Sequence, residues 1–590
     1  MPMLDALFEN GFLSRIDFYF AKFIAEISGD DPDIALAAAL AGRAAGEKHL
    51  CLSLESISGK RFFDKKTGRV IAACPEVSAW RETLLSSPVA GVPGDFRPLV
   101  LDSENRLYLF RNWRRERDIA DFVLTRAGEG FDGPDSRALE AAMENIFPPG
   151  ALPDDEQKKA CALAASSGFC VISGGPGTGK TFVAAGIMAL FLALCPKKEP
   201  VIRLCAPTGK AAARLGESVK RAREKLPLPN EIRSAIPDRA VTLHRLLRPI
   251  RGTSRFHHNE KNPLEADLIV ADEASMMDAA MAARLFRAAP PGARLVLMGD
   301  KDQLASVEAG SVMADICGAA SLSGHIAVLK KSYRFSKKSG VAALCGALGR
   351  GDTDQALSCM EDPAMKGVSF EEVGARPALF SKLSDLISRG DFFSFLSGDS
   401  RDPEAALARL DRLKILCASR KGPFGVLEVN RFAQRALARR GLADMSGEFY
   451  PGRPVMVLRN DYDLGLFNGD TGIILKSREP GAKGLGAFFP APGGGVREIS
   501  PFALPGHETV YAMTAHKSQG SEFDHVVLVL PDRDLPVLTR ELLYTAATRA
   551  MKSVSIWGTP GILRAALSRK TRRFSGLGKR LEGRDSVVKI

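Results

Sequence analysis

One glycine-rich stretch, GGPGTGKT at residues 174–181, constrains the fold of this chain more than any other feature. It matches the pattern G-x-x-x-x-G-K-[ST], which forms a loop between a buried strand and the helix that follows it. Glycines let backbone N–H groups close around phosphate oxygens, because no Cβ atom obstructs the approach. Lys180 is expected to reach the β- and γ-phosphates, and Thr181 to offer its hydroxyl to Mg²⁺. ATP with Mg²⁺ is therefore the predicted ligand of Gly174, Gly175, Pro176, Gly177, Thr178, Gly179, Lys180 and Thr181.

Short apolar runs alternate with longer helical periods in two parts of the chain, which is typical of α/β folds. The first series is FCVIS, VIRLCA, DLIVAD, RLVLMGD and IAVLK, and the later series is LKILCAS, HVVLVLP and SVSIWG. Each series predicts a parallel sheet flanked by helices, with a first core at residues 155–345 and a second at 346–590. Strand-like stretches between Gly/Pro turns predict a small β-barrel inserted in the second core at about 445–508.

The first part of the chain has no glycine-rich loop and a different pattern. PDIALAAALAGRAAGEKHL predicts an amphipathic helix, and RPLVLDSENRLYLF alternates apolar and polar residues as a hairpin does. We therefore expect a mainly helical domain at residues 1–115. The Gly/Pro-containing stretches GEGFDGPDSR and FPPGALPDD mark a linker at 116–154.

Composition and charge narrow the class of protein. The chain has 45% hydrophobic and 25% charged residues and no apolar run near the ~20 residues that span a bilayer, so we expect a globular protein. The stretch MPMLDALFENGF has no basic segment, so no secretory signal is expected. Ten scattered cysteines without a C-x-x-C pair argue against a zinc or iron–sulfur site and favour reduced thiols in a bacterial cytoplasm.

The formal net charge of +12 favours a polyanionic partner, most often nucleic acid. A basic surface without any ligand is the alternative interpretation. Basic residues are concentrated in the tail RAALSRKTRRFSGLGKR. That tail could contact phosphates, or it could be a solvated, frayed end.

Acidic, amide and guanidinium side chains follow several predicted strands, where they would meet the nucleotide. Asp272 and Glu273 end the strand DLIVADE, and we expect them to hold Mg²⁺ through its outer shell and to polarise the attacking water, respectively. Gln303 lies just past another strand end, where its amide could touch the γ-phosphate. Arg334 in KKSYRFS and Arg549 in LLYTAATRAMKS could each act as an arginine finger. The predicted catalytic residues are Lys180, Asp272, Glu273, Gln303, Arg334 and Arg549, with Thr181 and Asp272 as metal ligands.

Two other polar segments could hold a nucleic-acid strand. APTGKAAARL follows a predicted strand and places Thr208 and Lys210 where they could meet a phosphodiester backbone. TAHKSQGSEFD precedes another strand and is rich in hydrogen-bond donors. Its candidate DNA contacts are Thr514, His516, Lys517, Ser518 and Gln519. Aromatic content is only 7%, so binding would depend mainly on backbone phosphates and on salt.

Two features are ambiguous on residue pattern alone. A basic stretch at about 247–263, which contains Phe256, could be a hairpin that wedges into a duplex or an ordinary surface loop. Gln157 precedes the strand of the glycine-rich loop. It could contact the adenine edge or be a plain helix residue.

Seven motifs occur in an order that resembles the motif series of superfamily-one DNA helicases. They are GGPGTGKT, APTGKAAARL, VADEASMMD, GDKDQLASVEAG, SYRF, TAHKSQGSEF and LYTAATRA. MTAHKSQGSEFD and DEASMMD are similar to the RecD family, the alpha subunits of exodeoxyribonuclease V. The resemblance runs from about Gln157 to Gly558, and it reaches the N-terminal stretch PLVLDSENRLYLFRNWRRE.

This resemblance implies two RecA-like cores with ATP at their interface, an adenine contact for Gln157, and Arg334 and Arg549 supplied by the second core or its edge. The stretch around Phe256 would be a strand-separating pin. Translocation would run 5′→3′ on single-stranded DNA, in a RecBCD-type helicase–nuclease that acts at double-strand DNA ends in recombinational repair. The N-terminal domain would dock on a RecC-like subunit, beside a RecB-like subunit that carries the nuclease, so exonuclease activity would belong to the complex.

Three alternatives to a subunit of such a complex stay open at this point. The chain could be a stand-alone 5′→3′ DNA helicase without partner subunits. It could be a clamp-like interaction subunit whose ATPase only signals assembly. It could also be the helicase module of a plasmid-transfer relaxase, although the His-rich nicking domain is missing.

Overall fold

The structure is a computed structural model. It describes residues 2–128, 133–148, 154–335, 339–388, 402–445, 447–461, 463–478, 484–491 and 494–583. Among the described helices, none combines the length and the apolar character that a membrane crossing requires.

The N-terminal region packs helices against a small mixed sheet. Its elements are α1 (Pro2–Glu9), α2 (Arg15–Ile27), α3 (Pro32–Gly46), β1 (Cys51–Ser53), β2 (Arg61–Phe63), β3 (Val70–Ala73), α4 (Val77–Ser86), β4 (Ala90–Gly91), β5 (Leu99–Leu101), β6 (Arg106–Leu109) and α5 (Phe110–Ala127). The sheet order is β1-β6-β5-β4, and β2 pairs with β3. Asp31 caps α3 through the N–H groups of Asp33 and Ile34, and this alanine-rich helix is largely buried.

The first core is a six-stranded parallel sheet with helices on both faces. Its elements are α6 (Ser136–Ile146), α7 (Asp155–Ser166), β7 (Phe169–Gly174), α8 (Lys180–Leu194), β8 (Ile202–Ala206), α9 (Gly209–Lys225), α10 (Asn230–Ala235), β9 (Val241–Thr242), α11 (Leu243–Leu247), β10 (Leu268–Ala271), α12 (Ala279–Ala288), β11 (Arg294–Gly299), α13 (Val312–Gly318) and β12 (Ile326–Leu329). The strand order is β12-β7-β11-β10-β8-β9. All five strands predicted from the first apolar series are confirmed.

Helix α5 joins the N-terminal region to this core. The predicted domain boundary at residue 115 falls inside this 18-residue helix, whose buried face includes Ile119 and Val123. The ring of Phe122 stacks on Phe286 of α12 with centroids 4.7 Å apart. The residues 116–127 that pattern assigned to a linker are therefore helical and packed.

The second core repeats the parallel architecture and carries an antiparallel insert. Its elements are α14 (Gly340–Arg350), α15 (Thr353–Glu361), β13 (Val368–Glu372), α16 (Arg376–Ser388), α17 (Pro403–Leu410), β14 (Leu413–Cys417), α18 (Val426–Arg439), β15 (Pro454–Val457), β16 (Thr471–Lys476), β17 (Leu485–Pro490), β18 (Val496–Ile499), β19 (His507–Thr509), β20 (Ala512–Thr514), β21 (Phe523–Val529), α19 (Arg540–Ala547), β22 (Ala550–Gly558), α20 (Pro560–Ser568) and α21 (Leu577–Leu581).

The two sheets of the second core differ in kind. The strands β13-β22-β21-β14-β20 form a parallel sheet in that order, and β18-β17-β16-β15-β19 form an antiparallel one. The predicted insert is therefore antiparallel and five-stranded. Its edge strands β18 and β19 do not pair with each other in the described part of the chain, so a closed barrel is not confirmed.

Candidate functional site

The glycine-rich loop lies between β7 and α8, as its motif predicts. Gly177 and Gly179 have φ of +75° and +81°, a region that L side chains rarely adopt. A Cβ atom on Gly177 would lie 2.4 Å from Cβ of Arg334, and one on Gly179 would lie 2.3 Å from Nε2 of Gln157. Lys180 begins α8 and donates from Nζ to the carbonyls of Gly174 at 2.6 Å and Gly175 at 3.2 Å. Positions 177 and 179 therefore require glycine, because a side chain there would collide with Arg334 or with Gln157.

A cavity of about 280 Å³ lies in front of this loop and between the two cores. It is lined by residues 176–181 of the loop together with the predicted catalytic residues Asp272, Glu273, Gln303, Arg334 and Arg549. The structure therefore gathers the predicted catalytic set, drawn from five separate motifs, in one place. Residues that pattern did not single out also line it, notably Arg214, Gly520 and Glu522.

The two adjacent acids stand at the carboxyl end of β10. Glu273 has φ of +53°, and its N–H donates to Oδ1 of Asp272 at 2.8 Å. Burial, followed by the nearby Glu273, raises the pKa of Asp272 to about 6, while the charge of Lys180 opposes that rise. A cation placed beside Asp272 would relieve this electrostatic cost.

Gln303 belongs to a hydrogen-bonded junction between the cores. Its Nε2 donates to Oδ2 of Asp300 at 3.0 Å, and the hydroxyl of Tyr544 in α19 donates to the same oxygen at 2.9 Å. Burial raises the pKa of Asp300. Oε1 of Gln303 is buried without a hydrogen-bond partner among the described residues. Asp300 was not predicted, although it stands in the same quoted motif as Gln303.

Arg334 lies just after β12, the last strand of the first sheet, and so stands at the junction between the cores, whereas the resemblance implied the second core or its edge. Its guanidinium reaches the second core, where it pairs with Glu522 and donates to the carbonyl of Thr548 at 3.3 Å. Arg214 of α9 crosses the same junction, pairing with Glu522 and donating to the carbonyl of Gly520 at 2.9 Å. Glu522 therefore holds two guanidiniums from the first-core side.

Arg549 belongs to the second core, between α19 and β22, and is buried. Its Nε donates to the carbonyl of Thr545 at 3.1 Å, and its Nη1 to the carbonyl of Ser521 at 3.2 Å. Burial lowers its pKa, and the nearby carboxylates of Glu273 and Glu522 oppose that effect. The two predicted arginine fingers thus approach one cavity from different cores.

Gln157 is the third residue of α7 and is buried. Its Nε2 donates to the carbonyl of Thr178 at 2.9 Å, and its Oε1 accepts from the N–H of Asp154 at 3.3 Å, completing a capping box. The side chain therefore ties the start of α7 to the glycine-rich loop. An adenine contact stays a prediction.

Thr208 and Lys210 begin α9 beside the second core. Oγ1 of Thr208 caps the helix by accepting from the N–H of Ala211 at 3.2 Å, and Nζ of Lys210 donates to Oγ of Ser521 at 2.7 Å. Burial lowers the pKa of Lys210, while Asp411 and Asp470 oppose that shift. Both side chains have partners within the protein, and their contact with DNA stays a prediction.

The segment 514–519 divides into an inner and an outer set. Ser518 and Gln519 are buried, and Nε2 of Gln519 donates to the carbonyl of Leu304 in the first core at 3.0 Å. Thr514, His516 and Lys517 are partly exposed. Nζ of Lys517 donates to Glu508 at 3.0 Å, and burial lowers the pKa of His516. Only the outer three have surface that a DNA strand could meet in this arrangement.

The stretch at 247–263 forms a small excursion closed by antiparallel bridges, one of which joins Pro249 to Phe256. The ring of Phe256 is not at its tip. It lies under the guanidinium of Arg284 at 4.9 Å and beside the ring of His244 at 5.8 Å. The exposed tip consists of residues 251–255, so a wedging role for Phe256 would require another conformation.

Arg214 and Glu522, like Asp300, lie at the junction beside the cavity and were not predicted from the sequence. Arg214 stands four residues after Lys210, so the two share one face of α9. That spacing could have placed Arg214 beside the second core. Glu522 lies within TAHKSQGSEFD, but only the folded chain brings it to Arg214.

Comparison with known proteins identifies the family. A model of the RecBCD enzyme subunit RecD N-terminal domain matches residues 9–108, an AAA domain model matches 157–309, and a UvrD-like helicase C-terminal domain model matches 509–556. RecBCD enzyme subunit RecD from Mycolicibacterium smegmatis is 39% identical over 596 residues, which cover 98% of this chain and 99% of that protein. The chain belongs to the RecD family. It is accordingly an ATP-dependent helicase.

The alternative of a stand-alone helicase is less well supported by these relatives than membership of the RecD family. The ATP-dependent RecD2 DNA helicase of Deinococcus radiodurans is 30% identical over 453 residues, covering 76% of this chain but 54% of that protein. Among solved structures, a Pif1 helicase from Bacteroides in complex with ADP-AlF3 and ssDNA matches 69% of this chain and 92% of that chain. Its sequence identity is 18% and its TM-score is 0.39.

Proposed function

We propose that this chain is the 5′→3′ DNA motor subunit of a RecBCD-type helicase–nuclease, and that ATP binds in the cavity between its cores. The supporting observation is that this cavity is lined by groups from both cores, including Lys180 on one side and Arg549 on the other. A triphosphate there would attract guanidiniums across the junction and draw the cores together. Hydrolysis would remove the γ-phosphate charge and let them separate.

The acidic end of β10 fits a divalent ion. Asp272 and Thr181 offer the hard oxygen donors that Mg²⁺ prefers, and both line the cavity. The raised pKa of Asp272 reflects a half-buried carboxylate whose charge a cation would compensate. When bound, Mg²⁺ would neutralise charge on the phosphate oxygens. Glu273 would orient the attacking water.

Arg334 and Gln303 would respond to the γ-phosphate. In the present arrangement Arg334 is paired with Glu522, so binding of ATP would require the guanidinium to exchange this carboxylate for phosphate oxygens. Gln303 would connect the phosphate to Asp300 and through it to Tyr544 of the second core. Loss of the phosphate would thereby change the hydrogen bonds that Tyr544 of α19 makes with this chain of side chains.

Single-stranded DNA would cross both cores on the side of Thr208 and the partly exposed Thr514, His516 and Lys517. Alternating grip by the two cores would convert their closure into movement along the strand. Contacts of this kind go mainly to phosphates, so binding would weaken steeply with salt.

Helix α2 supplies the surface that we propose for docking on a RecC-like subunit, beside a RecB-like subunit with the nuclease. Ile16, Tyr19, Phe23 and Ile27 are 75%, 66%, 56% and 47% exposed and recur at helical spacing along one face of α2. The opposite face of α2, with Phe18 and four other buried residues, packs inside the N-terminal region. An apolar stripe of this length on an exposed helix is typical of a protein interface.

Two measurements test the proposal. The full chain with candidate partner chains is expected to unwind a duplex with a 5′ single-stranded tail and not one with a 3′ tail; ATP turnover without unwinding would support the clamp-like alternative instead.

Tyr19→Glu is expected to abolish co-purification with a RecC-like chain, while the exposed control Glu26→Gln on the same helix retains it. Equal retention by both variants would reject α2 as the docking surface.

A further inference from the structure

The basic C-terminal tail is neither frayed nor free, as far as the structure describes it. Residues 570–582, which we name the C-terminal strap, leave the second core after α20 and return across the first core to the N-terminal region. The N–H of Phe574 donates to Nδ1 of His49 at 3.0 Å, and the N–H of Leu50 donates to the carbonyl of Phe574 at 2.9 Å. Leu577 and Leu581 are fully buried in the first-core cluster.

A buried carboxylate anchors the far end of the strap. Glu116 of α5 is completely buried, and its Oε2 accepts from Oγ of Ser575 at 3.1 Å and from the N–H of Gly576 at 3.0 Å. Its Oε1 accepts from Nε of Arg580 at 2.8 Å. A Cβ atom on Gly576 would lie 2.3 Å from the hydroxyl oxygen of Tyr108, so this close passage depends on glycine.

The near end of the strap holds the loop that contains Gln303. This loop, residues 300–310, contains neither helix nor strand and is named the sensor loop here. Nη1 of Arg573 donates to the carbonyl of Glu308 and, at 3.3 Å, to that of Gly310. Nη2 donates to the carbonyl of Ser306. The planar fork of one guanidinium therefore holds three carbonyls of a segment that lacks regular structure.

The opposite end of the sensor loop reaches the second core. The N–H of Leu304 donates to Oγ1 of Thr545 at 2.9 Å, and its carbonyl accepts from Gln519 at 3.0 Å. Gln303, immediately before it, lines the nucleotide cavity. The loop thus connects three places: the cavity, the second core beside the 514–519 segment, and the strap.

We propose that Arg573 is a positioning residue of the motor, which fixes residues 306–310 so that Gln303 and Leu304 keep their registration with the second core. The proposal rests on the proposed function. Arg573 touches neither the nucleotide cavity nor the predicted metal ligands, so it acts through the sensor loop. The charge of Arg573 also contributes to the lowered pKa of His516, which places it near the outer set of predicted DNA contacts.

The strap links parts of the chain that would move relative to each other. It leaves the second core, whose α19 and 514–519 segment hold Leu304, and ends on the N-terminal region. Nζ of Lys48 from that region also pairs with Glu308 at 2.9 Å. The second half of the sensor loop is consequently held against the first core and N-terminal region, while its first half is bonded to the second core.

The test compares Arg573→Ala, Arg573→Lys and the adjacent control Arg572→Ala, whose side chain is exposed and has no hydrogen bond among the described residues. The full chain, with the partners that it needs, is assayed for DNA-stimulated kcat, KM for ATP and unwinding of a 5′-tailed duplex. We expect Arg573→Ala to lower base pairs unwound per ATP about tenfold, the effect of losing one strong hydrogen-bonded contact, with KM within about twofold. Arg573→Lys should recover part of this loss, and Arg572→Ala should match the parent.

The outcomes separate coupling from folding and from the motor assignment itself. Here coupling means the number of base pairs unwound per ATP. Equal coupling in Arg573→Ala and the parent overturns the proposal. So does a variant in which kcat, affinity for ATP and unwinding all fall together and which lysine does not restore. If Arg573→Ala does not fold, Arg573→Gln, which shortens the side chain and removes the guanidinium fork, is assayed in its place, and unchanged coupling there also overturns the proposal. A parent that neither hydrolyses ATP with DNA nor unwinds it contradicts the proposed function instead.

Discussion

The nucleotide cavity and the 514–519 segment were both predicted from polar motifs, yet they differ in how those motifs are used. In the cavity, loop glycines, acids, an amide and two arginines from five motifs line one space. In the 514–519 segment, Ser518 and Gln519 point inward and only Thr514, His516 and Lys517 keep exposed surface. The difference shows that a polar cluster in sequence can serve the contact between cores as well as the ligand.

The contrast has a physical origin. A phosphate loop is built from its own backbone, so its motif determines the geometry locally. The side chains at 518 and 519 acquire their roles only from the partner surface that folding brings to them, such as the carbonyl of Leu304. Substitutions in the first kind of motif should therefore cause large, specific losses of ATP hydrolysis. Substitutions in the second kind should instead lower the amount of unwinding per ATP.

The largest expected effect is at the phosphate loop. Lys180→Gln removes the ammonium that would neutralise β- and γ-phosphate charge, so DNA-stimulated ATPase should fall by about 10³-fold. Steady-state phosphate release measures it. The exposed Lys198→Gln, which removes the same charge elsewhere, should leave the rate unchanged. Comparable rates of ATP hydrolysis in Lys180→Gln and the parent would show that Lys180 takes no part in the reaction.

The cross-junction arginine should be next in size. Arg549→Lys keeps a positive charge but loses the bidentate fork, so kcat should fall about 100-fold with nucleotide affinity changed by only a few fold. Single-turnover hydrolysis and binding of a fluorescent nucleotide distinguish the two quantities. The matched exposed change Arg564→Lys should be silent. A loss confined to nucleotide affinity would place Arg549 outside the reacting phosphates.

The inner and outer members of the 514–519 segment should have different phenotypes. Gln519→Ala leaves the carbonyl of Leu304 without its donor, so unwinding per ATP should fall about tenfold while affinity for single-stranded DNA is retained. Lys517→Ala should instead weaken that affinity and reduce the slope of log affinity against log salt by about one. Fluorescence anisotropy across a salt series measures both. Identical phenotypes would remove the distinction between the two sets.

The smallest effect concerns pH at the strap. Burial raises the pKa of Asp315, a residue of α13 beside the strap, to about 7. The hydroxyl of Ser575 opposes this rise, and the charge of Glu116 adds to it. Because the folded chain binds this proton more tightly than the unfolded chain, stability should fall as pH rises from about 4 to about 7.

We expect the parent Tm to drop by about 1–4 °C between pH 6 and pH 8 from this group, and Asp315→Asn to lose that difference. Calorimetric scans at the two pH values measure it. The exposed Asp354→Asn serves as the control and should keep the parent's dependence. An undiminished drop in Asp315→Asn would assign the pH effect to other groups.

Much of the fold could be predicted because the apolar runs of parallel strands are continuous and local. The runs FCVIS and DLIVAD are found as β7 and β10, whereas the strands β9, β13 and β20 of the parallel sheets were not among the predicted runs. The course of the strap could not be predicted, since its basic residues have partners far earlier in the chain, such as Glu116, 464 positions before Arg580. The pairing of Arg214 with Glu522 depends likewise on how two cores meet.

The most direct test of the central claim is a structure of the full chain with single-stranded DNA and an ATP transition-state analogue. The account predicts that Arg334 leaves Glu522 and that its guanidinium and that of Arg549 both lie within hydrogen-bond distance of the γ-phosphate position, with the cores closer than they are here. An analogue held by one core alone, with both guanidiniums directed elsewhere, would contradict it.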